Sequence, residues 1–157
     1  MLVRLRQTHI MEKKMDSCTL LNEGLKVAQT YDVSSKEDSV VVYSISFQKN
    51  SANRDKAFDF ITKNPDKMLI EHTECGSKLV EMGFESVISL DHEDVMMVWA
   101  EASRRFINAA KGNITAFVDN AHPQSTFRNV ELPNILKNDK IKTINGIDKH
   151  KFADQFK

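Results

Sequence analysis

Apolar positions along this chain fall into helical and extended rhythms that take turns, and their order sets out the expected elements. From Leu2 to about Ala28, the residues Leu2, Leu5, Ile10, Met15, Leu20, Leu21 and Leu25 recur loosely among basic and polar neighbours, which predicts one or two covering helices. Tyr31 to Ser39 (YDVSSKEDS) reads as a polar loop. Val40 to Phe47 (VVVYSISF) is β-branched and aromatic between polar stretches, the signature of a buried strand in the core sheet. Asn53 is placed to cap a short helix through Ile61 with Ala57, Phe58 and Ile61 facing inward. That helix should stop before Asn64-Pro65, because proline pushes the preceding residue out of the α region. Lys67 to Glu71 (KMLIE) predicts a second strand, Gly76 a turn, and Leu79, Val80 and Met82 a short helix or turn ended by Gly83.

After Phe84 to Leu90 comes the longest helical pattern. Asp91 is its expected N-cap, Glu93 and Asp94 place negative charge in the first turn, and Lys111-Gly112 is the stop signal. About twenty residues in that helix give roughly 30 Å, enough to cross a small domain. Met96, Trp99, Ser103, Phe106 and Ala110 share one face of it. Asn113 to Val118 (NITAFV) predicts a third strand and Asp119 to Phe127 a turn around His122-Pro123. Glu131 then precedes Leu132-Pro133, which biases Leu132 to extended geometry. Lys140 to Ile147 (KIKTINGI) reads as a fourth short strand, and DKHKFADQFK as a polar tail with a last helical turn. The alternation argues an α/β fold: a small, mostly parallel central β-sheet with flanking helices and an N-terminal helical segment. One domain over residues 1–157 is expected, with 1–38 as the covering segment and 39–157 as the core.

Composition narrows the function classes. At 157 residues, 41% of them hydrophobic, the chain can bury a full core. Its 22 basic residues balance 22 acidic ones, so no net field favours nucleic acid or an anionic membrane. Cys18 and Cys75 lack metal-ligand spacing and suit a reducing compartment. No apolar run reaches the roughly 18 residues of a membrane span, and the N-terminus lacks a signal-peptide core, so a cytoplasmic location or delivery into a target cell's cytoplasm is expected. The sequence leaves the oligomeric state open.

Glycine-rich phosphate loops, GxGxxG, HExxH, GxSxG and CxxC pairs are all missing from the sequence. The five histidines are scattered, so no metal site and no bound cofactor are expected. Two carboxylates remain at the ends of apolar segments, Glu71 and Glu131, with the Trp99-x3-Ser103 pair between them in sequence. Paired carboxylates beside an aromatic wall suit glycoside chemistry, where an oxocarbenium-like transition state needs nearby negative charge and a surface that excludes water. On their own, however, Trp99 also reads as a core aromatic, Ser103 as a tolerated helix polar residue, Arg104-Arg105 as a solvated face, and the glutamates as surface groups.

Four ordered blocks add a family likeness. Leu69-Ile70-Glu71-His72-Thr73, Val98-Trp99, Ser103-Arg104-Arg105-Phe106 and Ser125-Thr126-Phe127-Arg128-Asn129-Val130-Glu131 resemble, in order and spacing, the ADP-ribosyl cyclase / CD38 family of NAD glycohydrolases. The resemblance covers about residues 40 to 147. It implies an NAD+ nucleosidase that takes NAD as substrate, releasing nicotinamide and ADP-ribose, with cyclic ADP-ribose as the alternative product. It also implies that Glu131 stabilises the ribosyl cation, Trp99 walls the ribose, Ser103 contacts the intermediate and Glu71 serves as the second acid. Thr126 and Phe127 fall on phosphate-holding positions, Ile70 lies among the substrate-binding positions, and Tyr43-Ser44 stands where the family has a Trp-Ser pair. The chain departs from the family in His72, which replaces an aspartate, in Tyr43, and in having two cysteines where animal members are disulfide-rich. These departures suggest a compact microbial member, and by analogy an NAD-depleting toxin or effector with a neutralising partner protein. A catalytically silent nucleotide-binding or protein-interaction domain on the same scaffold is the alternative.

Overall fold

The computed structural model describes residues 18–44, 51–84 and 92–157. The helix expected before Cys18, the strand beyond Ser44, the stretch from Glu85 to Leu90 and the Asp91 cap lie outside the described residues. Helix α1 (residues 18–30) leads through the polar loop to strand β1 (Val41–Tyr43) and helix α2 (Ala52–Lys63). A 3-10 turn (Ile70–His72), α3 (Glu74–Glu81) and the long α4 (His92–Asn108) follow, then β2 (Gly112–Phe117). A π-helical turn (Phe127–Glu131) runs into α5 (Leu132–Lys137), and the chain closes with β3 (Ile141–Ile144), β4 (Ile147–Asp148), α6 (Lys149–Ala153) and a 3-10 turn (Asp154–Phe156).

The strands form one sheet in the order β1-β2-β3-β4. β1 and β2 are parallel with Val42 opposite Ala116, β2 and β3 are parallel with Ile114 opposite Ile144, and only β3 and β4 are antiparallel. This is the small, mostly parallel α/β architecture that the alternation of elements implied. Successive strand side chains point to opposite faces. Val40 and Val42 therefore join the larger core with Ile114, Ala116, Val98 and Phe106, while Val41 joins a smaller cluster with Ala57 and Leu69. Helices α1, α3, α4 and α5 cover the first face and α2 the second. A strand covered on both sides has no polar alternation, which accounts for VVVY.

Several local expectations change, each for an identifiable reason. The strand over Lys67 to Glu71 shrinks to one parallel bridge between Val40 and Met68. Beyond it the hydroxyl of Thr73 donates to Ile70 O (2.6 Å) and accepts from Gly76 N–H (2.9 Å), so side-chain bonding draws the backbone out of the sheet into the 3-10 turn. Gly76 makes no turn: it lies inside α3, where a Cβ would stand 1.9 Å from Ile70 O. Helix α2 starts after Ser51, so Asn53 is not its cap. Instead Asn53 is buried and its Nδ2 donates to Ser44 O and Asp119 O (2.9 Å each), clamping the carboxyl ends of β1 and β2. Helix α4 ends at Asn108, short of Lys111-Gly112, because Asn138 Nδ2 donates to Ile107 O and Ala110 O (2.9 Å each) and Gly112 already opens β2.

The Arg104-Arg105 pair divides. Arg104 bonds Glu101 on the surface, but Arg105 Nη1 donates to Ala28 O (2.7 Å) and Tyr31 O (2.9 Å), closing the end of α1. Leu132 is helical (φ −59°, ψ −48°), not extended: its N–H bonds Phe127 O five residues back, and that wide turn admits Pro133 into the first turn of α5, where its missing N–H costs little. KIKTINGI is two strands, because Asn145 (φ 53°) and Gly146 (φ 76°) adopt the left-handed pair that a two-residue hairpin demands. The polar tail is α6 and its following turn: the Asp148 carboxylate accepts from His150 and Lys151 N–H, and Phe152 and Ala153 are buried. Among the described residues, no helix is long and apolar enough to cross a membrane.

Candidate active site

A cleft of about 580 Å³ opens where β1 ends, between the 3-10 turn, α4 and the π-helical turn. Ligands of open α/β sheets lie beyond the carboxyl ends of the strands. Tyr43 and Ser44 reach the cleft from the end of β1, Trp99 and Ser103 from consecutive turns of α4, Ile70 and Glu71 from the 3-10 turn, and Thr126, Phe127 and Glu131 from the π-helical turn. Every residue the sequence nominated thus lines one cavity. Trp99 also packs against the larger core, so its packing and its place on the cleft wall coexist.

Two irregular turns carry the carboxylates. The Glu71 turn is fixed by Thr73 and Gly76 as above, and by Leu69 N–H donating to His72 Nδ1 (3.1 Å). The Glu131 turn is held from its start and from the chain terminus. Ser125 Oγ accepts from Arg128 N–H (3.2 Å), Asn129 Nδ2 donates to Ser125 O (3.1 Å), and Arg128 Nη2 donates to Phe156 O (2.7 Å). Phe127 meets Phe156 edge-on at 5.6 Å between centroids, so the C-terminal segment supports the turn.

Glu131 is only 6% exposed. Burial first, and then the charge of Glu71, push its carboxyl up to about 8. Tyr43 donates its hydroxyl to Glu71 Oε2 (3.1 Å). Burial and then Glu71 hold that phenol above its ordinary value, with Arg54 acting in the opposite direction. A carboxyl desolvated beside a second carboxylate is an acid held neutral, and a cation entering the cleft favours its ionised form. The arrangement is therefore suited to oppose positive charge that develops on a bound molecule. Sequence reasoning placed Ser125 in a family block without a role of its own and missed Arg54 on this wall. Arg54 is the single cation lining the cleft among the described residues, and its place directly after the polar run QKNSAN in the sequence was the available signal. Among the described residues, no three His, Cys, Asp or Glu side chains converge as a metal site.

No protein-family model and no curated protein matches the sequence. Solved structures do. Aplysia cyclase, complexed with substrate NGD and product cGDPR, superposes with a TM-score of 0.52 at 19% identity over 69% of this chain and 48% of its own. ADP-ribosyl cyclase complexed with N1-cIDPR gives a TM-score of 0.52 at 15% identity over 81% of this chain and 62% of its own. An ADP-ribosyl cyclase with one glutamate replaced by alanine gives the same score at 16% identity and the same coverage. This chain spans about half to three fifths of the length of those cyclases. Identity this low speaks to architecture alone, and the fold of this chain is similar to that of the ADP-ribosyl cyclases.

Proposed function

We propose that this chain is an NAD+ glycohydrolase, an enzyme that takes NAD+ as substrate and breaks the bond between nicotinamide and ribose. The observation that carries this reading is the buried Glu131 carboxyl, coupled to Glu71 and sharing a cleft with Trp99 and Ser103 in a chain with a cyclase fold. In the reaction, the C1′–N bond breaks and its electron pair leaves with nicotinamide, which departs neutral from a pyridinium and needs no strong acid. The remaining ribosyl cation is the charge to be stabilised. A preorganised carboxylate opposing it contributes several kcal/mol, on the order of the roughly 3–4 lost with one oxyanion-hole donor. Water then adds at C1′ and loses its proton, giving ADP-ribose. Attack by the adenine ring instead gives cyclic ADP-ribose. Trp99 supplies a flat wall that keeps bulk water off the cation, and Ser103 a buried hydroxyl beside it.

Purified protein incubated with NAD+ should release nicotinamide and ADP-ribose on chromatography, and Glu131→Gln should be silent. Wild-type protein that releases no nicotinamide at high concentration removes the enzyme reading. Calorimetric binding of NAD+ or ADP-ribose without turnover would then support the silent nucleotide-binding domain, a reading favoured by the Tyr43 hydroxyl engaging Glu71 where the family has a tryptophan. A role as an NAD-depleting toxin acting in a target cell's cytoplasm, with a neutralising partner protein, extends the same chemistry. Its test is whether expression in a host lowers cellular NAD and Glu131→Gln relieves the effect.

A further inference from the structure

We propose that Arg54 recognises the pyrophosphate of the dinucleotide in this cleft, an assignment that rests on the glycohydrolase reading. The cleft already holds two carboxyl groups, Glu71 and Glu131, and a dinucleotide brings the two negative charges of its pyrophosphate into it. Thr126 and Phe127, the positions nominated for the phosphates, offer neutral groups only. Arg54 supplies the missing positive charge. It stands in the first turn of the twelve-residue helix α2, whose start Asn53 fixes to Ser44 O and Asp119 O at the carboxyl ends of β1 and β2. The positive end of the helix dipole adds to the guanidinium charge there.

The side chain is also oriented before a ligand arrives. Its guanidinium carbon lies 4.5 Å from the centroid of the Phe58 ring, and the group neighbours the Tyr43 hydroxyl. A guanidinium carries five N–H donors, so one that lies over a ring and bonds the Tyr43 hydroxyl still has donors left for phosphate oxygens. Holding a long side chain in advance also reduces the ordering cost of binding. Arg54 itself is exposed and on the cleft wall, so the contact needs no rearrangement of the core.

The experiment compares wild type, Arg54→Gln and Arg54→Lys on NAD+ and on nicotinamide riboside, which has the scissile bond and no phosphate. Arg54→Gln should lose about tenfold to a hundredfold in kcat/KM on NAD+, mostly through KM, as expected for one charge-assisted contact. The loss should be confined to the phosphate-bearing substrate, and lysine should restore part of it. Equal losses on both substrates, or none on NAD+, overturn the assignment. Calorimetry with ADP-ribose gives a readout that needs no turnover: Arg54→Gln should bind it more weakly, by a margin that narrows as salt rises. Unchanged ADP-ribose affinity sinks the phosphate role even if NAD+ is cleaved. Weakened ADP-ribose binding sustains it even if the wild type releases no nicotinamide.

Discussion

Replacing Glu131 by Gln should stabilise the protein in alkaline solution while silencing it, and the size of the effect follows from the burial of that one carboxyl. The native state holds the proton up to about pH 8, against an ordinary value of 4.5. Between those values the folded chain binds more protons than the unfolded one, so the stability associated with Glu131 is intact below pH 4.5 and lost as the pH rises through 8. Integrated between pH 5 and pH 9, the loss is about 4 kcal/mol. Glutamine has the same shape and does not titrate. The stability of Glu131→Gln relative to wild type should therefore climb by about 4 kcal/mol over that range, or about 10 °C in Tm for a chain of this size. Urea and thermal unfolding of both proteins at pH 5, 7 and 9 measure it, and taking the difference cancels every other titrating group to first order. A difference that stays flat from pH 5 to 9 would show that the carboxyl is solvated, and the account of Glu131 as a desolvated acid would fall with it.

The same titration governs activity. In the empty cleft about one molecule in ten carries ionised Glu131 at pH 7, so kcat/KM on NAD+ should rise with pH toward about 8, whereas kcat, measured with the cationic pyridinium bound, should level off at lower pH. Burial raises Glu131 first and the charge of Glu71 adds to it, so Glu71→Gln should move the acidic limb of the kcat/KM profile part of the way to lower pH; an unmoved limb would show that the two carboxyls are uncoupled. Gly76→Ala drives a methyl to 1.9 Å from Ile70 O and should destabilise the fold by about 1–3 kcal/mol in urea while lowering turnover through displacement of Glu71. Arg105→Met leaves the carbonyls of Ala28 and Tyr31 without their cation; a loss of about 2–3 kcal/mol in urea, with faster hydrogen exchange across residues 18–30, is the expected outcome.

The sequence carried the site further than it carried the backbone that holds the site. Residue types at fixed spacing, such as Trp99 and Ser103 on one helical face, were readable because an α-helix turns short-range periodicity directly into position. The sheet was readable where both faces are covered, since the β-branched run VVVY between polar stretches favours a buried strand. What escaped depended on bonds between distant or unlike groups. Asn53 looked like a cap, and nothing nearby in sequence says that its amide spans Ser44 and Asp119. KMLIE has strand composition, but the hydroxyl of Thr73 decides its geometry. The hairpin at Asn145-Gly146 is the exception, because the dipeptide was in plain view and the flanking isoleucines masked it by suggesting one continuous strand.

Both carboxylates stand on irregular turns, Glu71 in the 3-10 turn and Glu131 at the end of the π-helical one. In an α-helix each N–H bonds the carbonyl four residues back. The bond from Leu132 N–H to Phe127 O reaches five residues back and so takes up one extra residue, the kind of insertion that recurs at functional sites. The same wide turn lets Leu132 stay helical before Pro133, so a single backbone device both carries the glutamate and starts α5. Its support comes from Ser125 at one side and from Arg128 and Phe127 against Phe156 at the other. The short run from Ser125 to Glu131 is thus constrained at nearly every position by turn geometry as well as by chemistry.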